Sequence, residues 1–577
     1  MTTSNNLEGT GTRGSFNITA LPAALWQKRI FLWLLPLAFL AVFFFIPLSR
    51  IFSLTLSPDT FTVENLYTAQ STILFTFYQA AFSTLLTLLL GLPSAYLFTR
   101  YEFYGKSILR ALIAVPFMLP TVVVAASFNA LLGQRGLIST ILSFLLPDPV
   151  IGVQSSSFIL QPFAVILLAH IFYNTTIVIR IVGTALSTLD PKLEQTARSL
   201  GADSIRMWMN VTLPLLRPAI LAATLLVFLF DFTSFGVILL LGGSQISTLE
   251  TEIYFQAVRL FNLPLAALLS IIQLVCTLVV SSLYTKFALR TTPLTPRSAL
   301  SLKPASLKQK LFVSAFCLLL GAFFVLPLSS LPIRSFLRLE GDRGQRADVQ
   351  YGFTTDYYEE LFVNRRGSVF YVPPIQAVFN SLAYASAVVI LSLAIGFPAA
   401  IALARPGRLE KILDSFIMLP LGSSAVMLGL GFIIAYGRWL ASPLFVPFAH
   451  TLVALPFVIR TLQPAIASIP QRLRQAASTL GASSFEVWRK IDFPILRRAA
   501  LAAATFAFTI SLGEFGATLI IVRPEYPTVP IAIERFLSQP GGLNYGQAMA
   551  MASILMVMTV AGILLIDKFR LPNAGDF

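Results

Sequence analysis

Twelve long apolar runs govern what this chain can fold into. They lie at roughly 29–52, 72–99, 108–133, 157–186, 214–241 and 263–289 in the first half, and at 310–332, 376–404, 411–436, 444–468, 495–522 and 545–567 in the second. A helix needs ~20 apolar residues to cross a bilayer, and these runs are long enough. Only helices or closed barrels satisfy backbone hydrogen bonds in lipid, and the runs lack the alternation of barrel strands. The expected fold is an all-α integral membrane bundle of about twelve transmembrane helices. Composition agrees, with 56% hydrophobic and 12% charged residues, where an average soluble domain carries about 25% charged residues.

The formal charge of +15 would suit nucleic acid, but its placement does not. Basic residues gather in alternate loops: Arg13, Lys28 and Arg29 before the first run, Arg100, Lys106 and Arg110 between the second and third, and Lys286, Arg290, Arg297, Lys303, Lys308 and Lys310 between the halves. Arg405, Arg408 and Lys411 follow the eighth run, and Lys568 and Arg570 the last. Such an excess marks cytoplasmic loops. The expectation is a multi-pass protein of a bacterial or archaeal cytoplasmic (inner) membrane, both termini cytoplasmic, partnered by the lipid bilayer and not by nucleic acid. The polar residues 1–28 read as a cytoplasmic tail and not as a signal peptide. Cys276 and Cys317 fall within predicted membrane helices and read as packing residues.

The chain repeats itself. At an offset of 280 residues, His170 falls on His450, Arg180 on Arg460, Gly201 on Gly481, Trp208 on Trp488, Pro214 on Pro494 and Phe235-Gly236 on Phe515-Gly516. Two tandem six-helix halves follow, 29–290 and 310–577, joined by a cytoplasmic linker at 291–309. An even number of spans keeps the halves parallel, so pseudo-twofold symmetry about the membrane normal is expected, with a substrate path between the halves. The second half carries a charged, aromatic insertion at 333–375, external by topology. It reads equally as a folded cap that receives a protein and as a poorly ordered hydrophilic loop.

Each half also carries one distinctive loop between long runs. Gln195-Thr196-Ala197-Arg198-Ser199-Leu200-Gly201 leads into Val211-Thr212-Leu213-Pro214, and Gln475-Ala476-Ala477-Ser478-Thr479-Leu480-Gly481 into Ile491-Asp492-Phe493-Pro494. Each reads as a short helix, a glycine turn that permits positive φ, a second helix, and a proline opening the next span. The small residues Ala197, Ala476 and Ala477 would let a partner approach closely. This pattern resembles the coupling loop of type I ABC importer permeases, here with both halves fused in one polypeptide.

The resemblance implies two copies of a separate ABC ATPase gripping the loops at 195–214 and 475–494, and an extracytoplasmic solute-binding protein that delivers a small-molecule solute. No cofactor is expected on this chain itself, ATP being used by the partner. One departure stands out: the family usually has Glu where this chain has Gln195 and Gln475. Glu194 is adjacent to the first, about 100° around the helix, and Arg474 holds the matching place in the second. The chain has no G-x-x-x-x-G-K-[ST] loop, no nucleophile elbow and no metal-ligand spacing, so neither catalytic nor metal-binding residues are expected.

Ionisable residues inside a bilayer are functional candidates by default. Asp231, in Phe230-Asp231-Phe232, and Glu514, in Gly513-Glu514-Phe515, are the two acids expected within the bundle, in the outer part of the fifth span of each half. Acids beside aromatic rings such as Phe235 and Phe515 suit an organic cation, and equally a helix-packing hydrogen bond. His170, with Asn174 one turn on, and His450 read either as interhelical hydrogen-bond partners or as a symmetric lining. Asp231, Phe235, Glu514, Phe515, His170, Asn174 and His450 form the candidate translocation pathway.

The stretch Ala169-His170-Ile171-Phe172-Tyr173-Asn174 with Arg180 resembles thiamine-importer permeases, with ferric-iron permeases, also fused, as the close alternative. Phe515-Gly516-Ala517-Thr518 also resembles molybdate and sulfate permeases. The expected solute is thiamine or its phosphate esters. A rival of another class, an ion-coupled twelve-helix secondary transporter, shares the parallel halves but does not predict the paired loops.

Overall fold

The structure, a computed structural model, describes residues 23–145, 160–243, 246–288, 303–304, 306–339, 352–363, 372–404 and 407–569. Most of the tail (1–22) and of the linker (291–302 and 305), and residues 340–351 and 364–371 of the 333–375 insertion, lie outside the described residues.

Among the described residues, ten helices are long and apolar enough to cross a membrane, and two bent pairs bring the count to twelve if each is one span. The first six are Phe31–Thr55, Val63–Arg100, the pair Lys106–Met118 with Thr121–Leu132, Pro162–Thr188, Ile205–Phe232 and Leu263–Ala288. The second six are Leu307–Phe336, Gln376–Leu403, the pair Arg408–Gly422 with Ala425–Tyr436, Phe445–Ala467, Phe485–Gly513 and Gly542–Phe569.

The third and ninth spans, read from sequence as the single runs 108–133 and 411–436, are each two helices bent by 112° and 97°. The two breaks have different causes. In the first half Leu119 precedes Pro120, and a residue before proline is pushed out of the helical region; its ψ is 145°. In the second half Ser424 breaks the helix as a cap, its hydroxyl accepting the Met427 N–H at 3.0 Å.

The fifth and eleventh spans also stop short of the continuous runs expected. They end at Phe232 and Gly513 and resume as the short helices Gly236–Gly242 and Gly516–Ile521. The resumption brings the chain close against a neighbour that leaves little room for a side chain. A Cβ on Gly236 would lie 2.6 Å from the Thr121 hydroxyl, and one on Gly516 3.1 Å from the Ala425 methyl. Two further helices were not foreseen. Leu249–Tyr254 and Val529–Leu537 start at the same 280-residue offset and are buried within the bundle. Each is pinned alike: the Leu249 N–H donates to Thr76 on the second span at 3.0 Å, and the Val529 N–H to Ser381 on the eighth at 2.9 Å.

The halves interlock. The first span packs against the eighth, ninth and tenth: Phe43 meets Phe448 of the tenth with ring centroids 4.4 Å apart, and Tyr436 of the ninth donates to the Val42 carbonyl. The seventh span packs against the third and twelfth, and Phe324 stacks on Phe172 at 5.2 Å. Each exchange buries large apolar side chains, worth roughly 1.5–3 kcal/mol apiece where water is the alternative and less where it is lipid.

The described part of the insertion is folded. Leu337–Arg338 pairs antiparallel with Gly352–Phe353, Arg338 contacts Asp356, and Tyr357 is buried against Gly546 of the twelfth span.

Candidate functional site

The two loops singled out by sequence are near-copies in space. Their first helices are Pro191–Ser199 and Gln471–Thr479. Gly201 and Gly481 close them at φ 85° and 83°, a region where side-chain-bearing residues are strained. The Gly201 N–H donates to the Arg198 carbonyl and the Ala202 N–H to the Ala197 carbonyl, both at 3.0 Å. Gly481 to Ser478 and Ala482 to Ala477 repeat this at 3.0 Å. These paired bonds are a Schellman motif, which satisfies the last carbonyls of a helix.

Gln195, Thr196, Gln475 and Ala476 are exposed, and Ala197 and Ala477 are half-buried. Leu200 and Leu480, at the tips, are 83% and 88% exposed, so each loop offers an apolar point to a partner. Val211, Leu213 and Pro214 are half-buried, as is Ile491, whereas Phe493 and Pro494 are exposed.

The expectation of a second helix followed by a separate span is corrected here. The chain runs as one helix from Ser204 to Phe232 and from Ser484 to Gly513, through a π turn at Trp208–Thr212 and at Trp488–Asp492. Pro214 and Pro494 stand beyond the π turns with one residue between. Proline lacks an N–H and its ring collides with a carbonyl one turn back; the wider turn accommodates both.

The residues beside the two glutamines face inward. Glu194 pairs with Arg100, at the end of the second span, and accepts from the Thr212 hydroxyl at 3.4 Å. Arg474, its counterpart, donates from Nε to Asp492 at 2.8 Å. The first pair ties its loop to the second span, and the second closes its loop on itself.

Where the halves meet lies a cavity of about 200 Å³. Its wall includes Thr233 to Gly236 from the first half and the matching Gly513 to Gly516 from the second, so it lies on the pseudo-twofold axis. The rings of Phe235 and Phe515 meet across that axis, 5.4 Å apart, and Tyr254 packs on Phe235 at 5.8 Å. His170, Asn174, Phe235, Glu514 and Phe515 reach the wall. Asp231 and His450, each 1% exposed, do not line it and are buried behind it.

Each histidine joins two elements of its own half. His170 Nε2 meets Ser234 at 2.8 Å and Nδ1 meets Gln79 at 2.9 Å, with Asp231 at 3.5 Å. Asp231 also accepts from the Asn174 amide at 2.7 Å. His450 Nδ1 meets Ser511 at 2.8 Å, and Nε2 meets Thr518 at 2.7 Å and Glu514 at 3.1 Å. Glu514 starts the short helix after the break, its carboxylate accepting the N–H groups of Ala517 at 2.9 Å and Thr518 at 3.1 Å.

One acid was missed. Glu250, 2% exposed, lines the cavity from the buried helix Leu249–Tyr254, so Asp231 and Glu514 are not the only acids inside the bundle. Glu250, Glu252 and Arg259 give this segment the composition of a solvated loop. The usable signal was the repeat: Thr248-Leu249 falls on Thr528-Val529 at the same offset, and both open buried helices. Among the described residues no group of three or more His, Cys, Asp or Glu is placed to hold a metal ion.

The sequence matches the family of binding-protein-dependent transport system inner membrane components over residues 87–293 and 392–570. The thiamine transport system permease protein ThiP of Brucella abortus is 28% identical over 509 residues, covering 86% of each chain. ThiP of Haemophilus influenzae is 26% identical, over 88% of this chain and 89% of its own. ThiP of Escherichia coli is 24% identical, over 84% and 86% respectively.

Proposed function

Because this chain belongs to the family of binding-protein-dependent transport system inner membrane components, we propose that it carries thiamine or its phosphate esters through the cavity between its two halves. It is a multi-pass permease of an ABC importer, an inner-membrane system that receives its solute from a binding protein. The observation that carries the substrate reading is the cavity itself, walled by both halves and lined by carboxylates beside aromatic rings. A carboxylate attracts the positive thiazolium ring, and the aromatic faces add cation–π attraction.

Two copies of a separate ATPase dock on the loops around Gly201 and Gly481, which face the cytoplasm together with both termini. The binding protein docks at the opposite end, near the folded part of the insertion. Closure of the ATPase pair draws the loops together and favours the outward-open arrangement of the halves; hydrolysis releases them. The shift is limited by how much more tightly the closed ATPase holds one membrane state than the other. The wall residues His170, Asn174, Phe235, Glu514 and Phe515 meet the solute, and Asp231 and His450 hold the wall from behind.

Uptake of labelled thiamine and of ferric iron, in cells carrying this chain with its ATPase and binding protein, tests the reading. Thiamine accumulation that depends on ATP and on the binding protein is expected. Iron uptake without thiamine uptake would move the chain to the ferric-iron alternative.

A further inference from the structure

We infer that Glu250, not either of the acids conspicuous in the sequence, is the residue that selects a positively charged solute in the cavity. The inference rests on the proposed import of thiamine, and it follows from which carboxylate lines the cavity without a histidine or other cationic partner.

A carboxylate accepts at about four lone-pair positions. Glu514 lines the cavity, but its oxygens already take the N–H groups of Ala517 and Thr518, the Thr518 hydroxyl and His450 Nε2. Its negative charge also faces a histidine. Asp231 lies behind the wall and gives one oxygen to Asn174 and His170. Glu250 reaches the wall with two uncharged partners: the Gln273 amide donates to Oε1 at 2.6 Å and the Ser424 hydroxyl to Oε2 at 2.8 Å. Two acceptor positions stay open, and no cationic side chain of the described residues pairs with it.

Holding a carboxylate away from water without a counter-charge is costly. A cation arriving in the cavity supplies that counter-charge, and a neutral solute does not. Phe235 and Phe515 offer ring faces beside it. Gln273 and Ser424 come from the sixth span and from the break in the ninth, so they fix the carboxylate from both halves while leaving its charge unpaired.

The test uses proteoliposomes holding the full chain and its ATPase, with binding protein outside and ATP inside. Two probes are compared: labelled thiamine, and a thiamine analogue whose thiazolium is replaced by an uncharged ring. Glu250→Gln keeps size and hydrogen-bonding capacity and removes charge. It should lower the ratio of thiamine to neutral-analogue uptake about tenfold, with ATPase stimulation by loaded binding protein retained and part of the ratio restored by Glu250→Asp. Glu252→Gln removes a charge from the same helix at a residue that does not line the cavity, so its ratio should match wild type.

Wild-type thiamine uptake with an unchanged ratio in Glu250→Gln overturns the inference and leaves the proposed function standing. A ratio that falls as far in Glu252→Gln also overturns it, by assigning the effect to the charge of the helix and not to Glu250. Absence of thiamine uptake by wild type overturns the proposed function and this inference with it.

Discussion

His170 and His450 occupy equivalent places in the two halves, yet their partners are exchanged. In both, Nδ1 faces one repeat position, Asp231 or Ser511, and Nε2 faces another, Ser234 or Glu514. The first half puts the acid at the first position and serine at the second; the second half reverses them. The acid has moved three residues, about one helical turn, while the ring kept its orientation. Duplication fixed the geometry, and the chemistry diverged within it. As a result the acid is behind the cavity wall in one half and on it in the other. Glu250, whose repeat partner is Pro530, adds a second carboxylate from the first half. The backbone around the cavity is symmetric and its charge is not.

The coupling loops show the same contrast. Both end in one Schellman motif at the same φ, but Glu194 is held by Arg100 and Arg474 by Asp492. Trp208 packs edge-on to Tyr96 at 5.5 Å, whereas Trp488 packs on Phe493 at 5.4 Å and is 48% exposed. A partner docking on both, as proposed, would meet two differently dressed loops of one shape.

The largest expected effect breaks the shared geometry. Gly201→Val or Gly481→Val forces a β-branched residue into positive φ, at a cost of roughly 1–3 kcal/mol in the native turn. Each change should abolish ATPase co-purification and uptake while the bundle still folds, judged by gel filtration. Tolerance of one and not the other would show that the loops are not equivalent.

Moving the acid comes next. Ser234→Glu places a second carboxylate beside Asp231 around one histidine and should lower stability by about 2–3 kcal/mol. Adding Asp231→Ser copies the second half's arrangement and should recover at least half of the loss, read as the thermal midpoint in detergent. No recovery would mean that the two networks are not interchangeable. Glu514→Gln leaves one acceptor oxygen where the short helix needs two, and should cost about 1 kcal/mol. The smallest effect belongs to Arg474→Ala with Asp492→Ala, a partly exposed pair whose double-mutant coupling should be about 0.5 kcal/mol. A larger coupling would make that pair the anchor of its loop.

Much of this was legible in the sequence. The apolar runs located the spans, and the 280-residue offset located the loops, the histidines and the Phe-Gly pairs. The breaks at Pro120 and Ser424 were not seen, because an apolar run carries no mark of a bend inside it and a single Ser or Pro is tolerated in membrane helices. Glu250 was missed because its segment is polar enough to read as a loop, although tertiary packing buries it. The choice among Asp231, Glu514 and Glu250 could not be made from sequence at all. It depends on which of them reaches the cavity wall and which faces a histidine from another span.

The central claim is that both halves wall one path and that the path closes where Phe235 meets Phe515. Cysteines at those two positions, with Cys276 and Cys317 replaced by serine, should be joined by a short bifunctional thiol reagent in the absence of nucleotide. The account predicts that the cross-link stops uptake, that either single cysteine treated alike does not, and that cleaving a reducible linker restores transport. Cross-linked protein that still imports at the uncross-linked rate would contradict it.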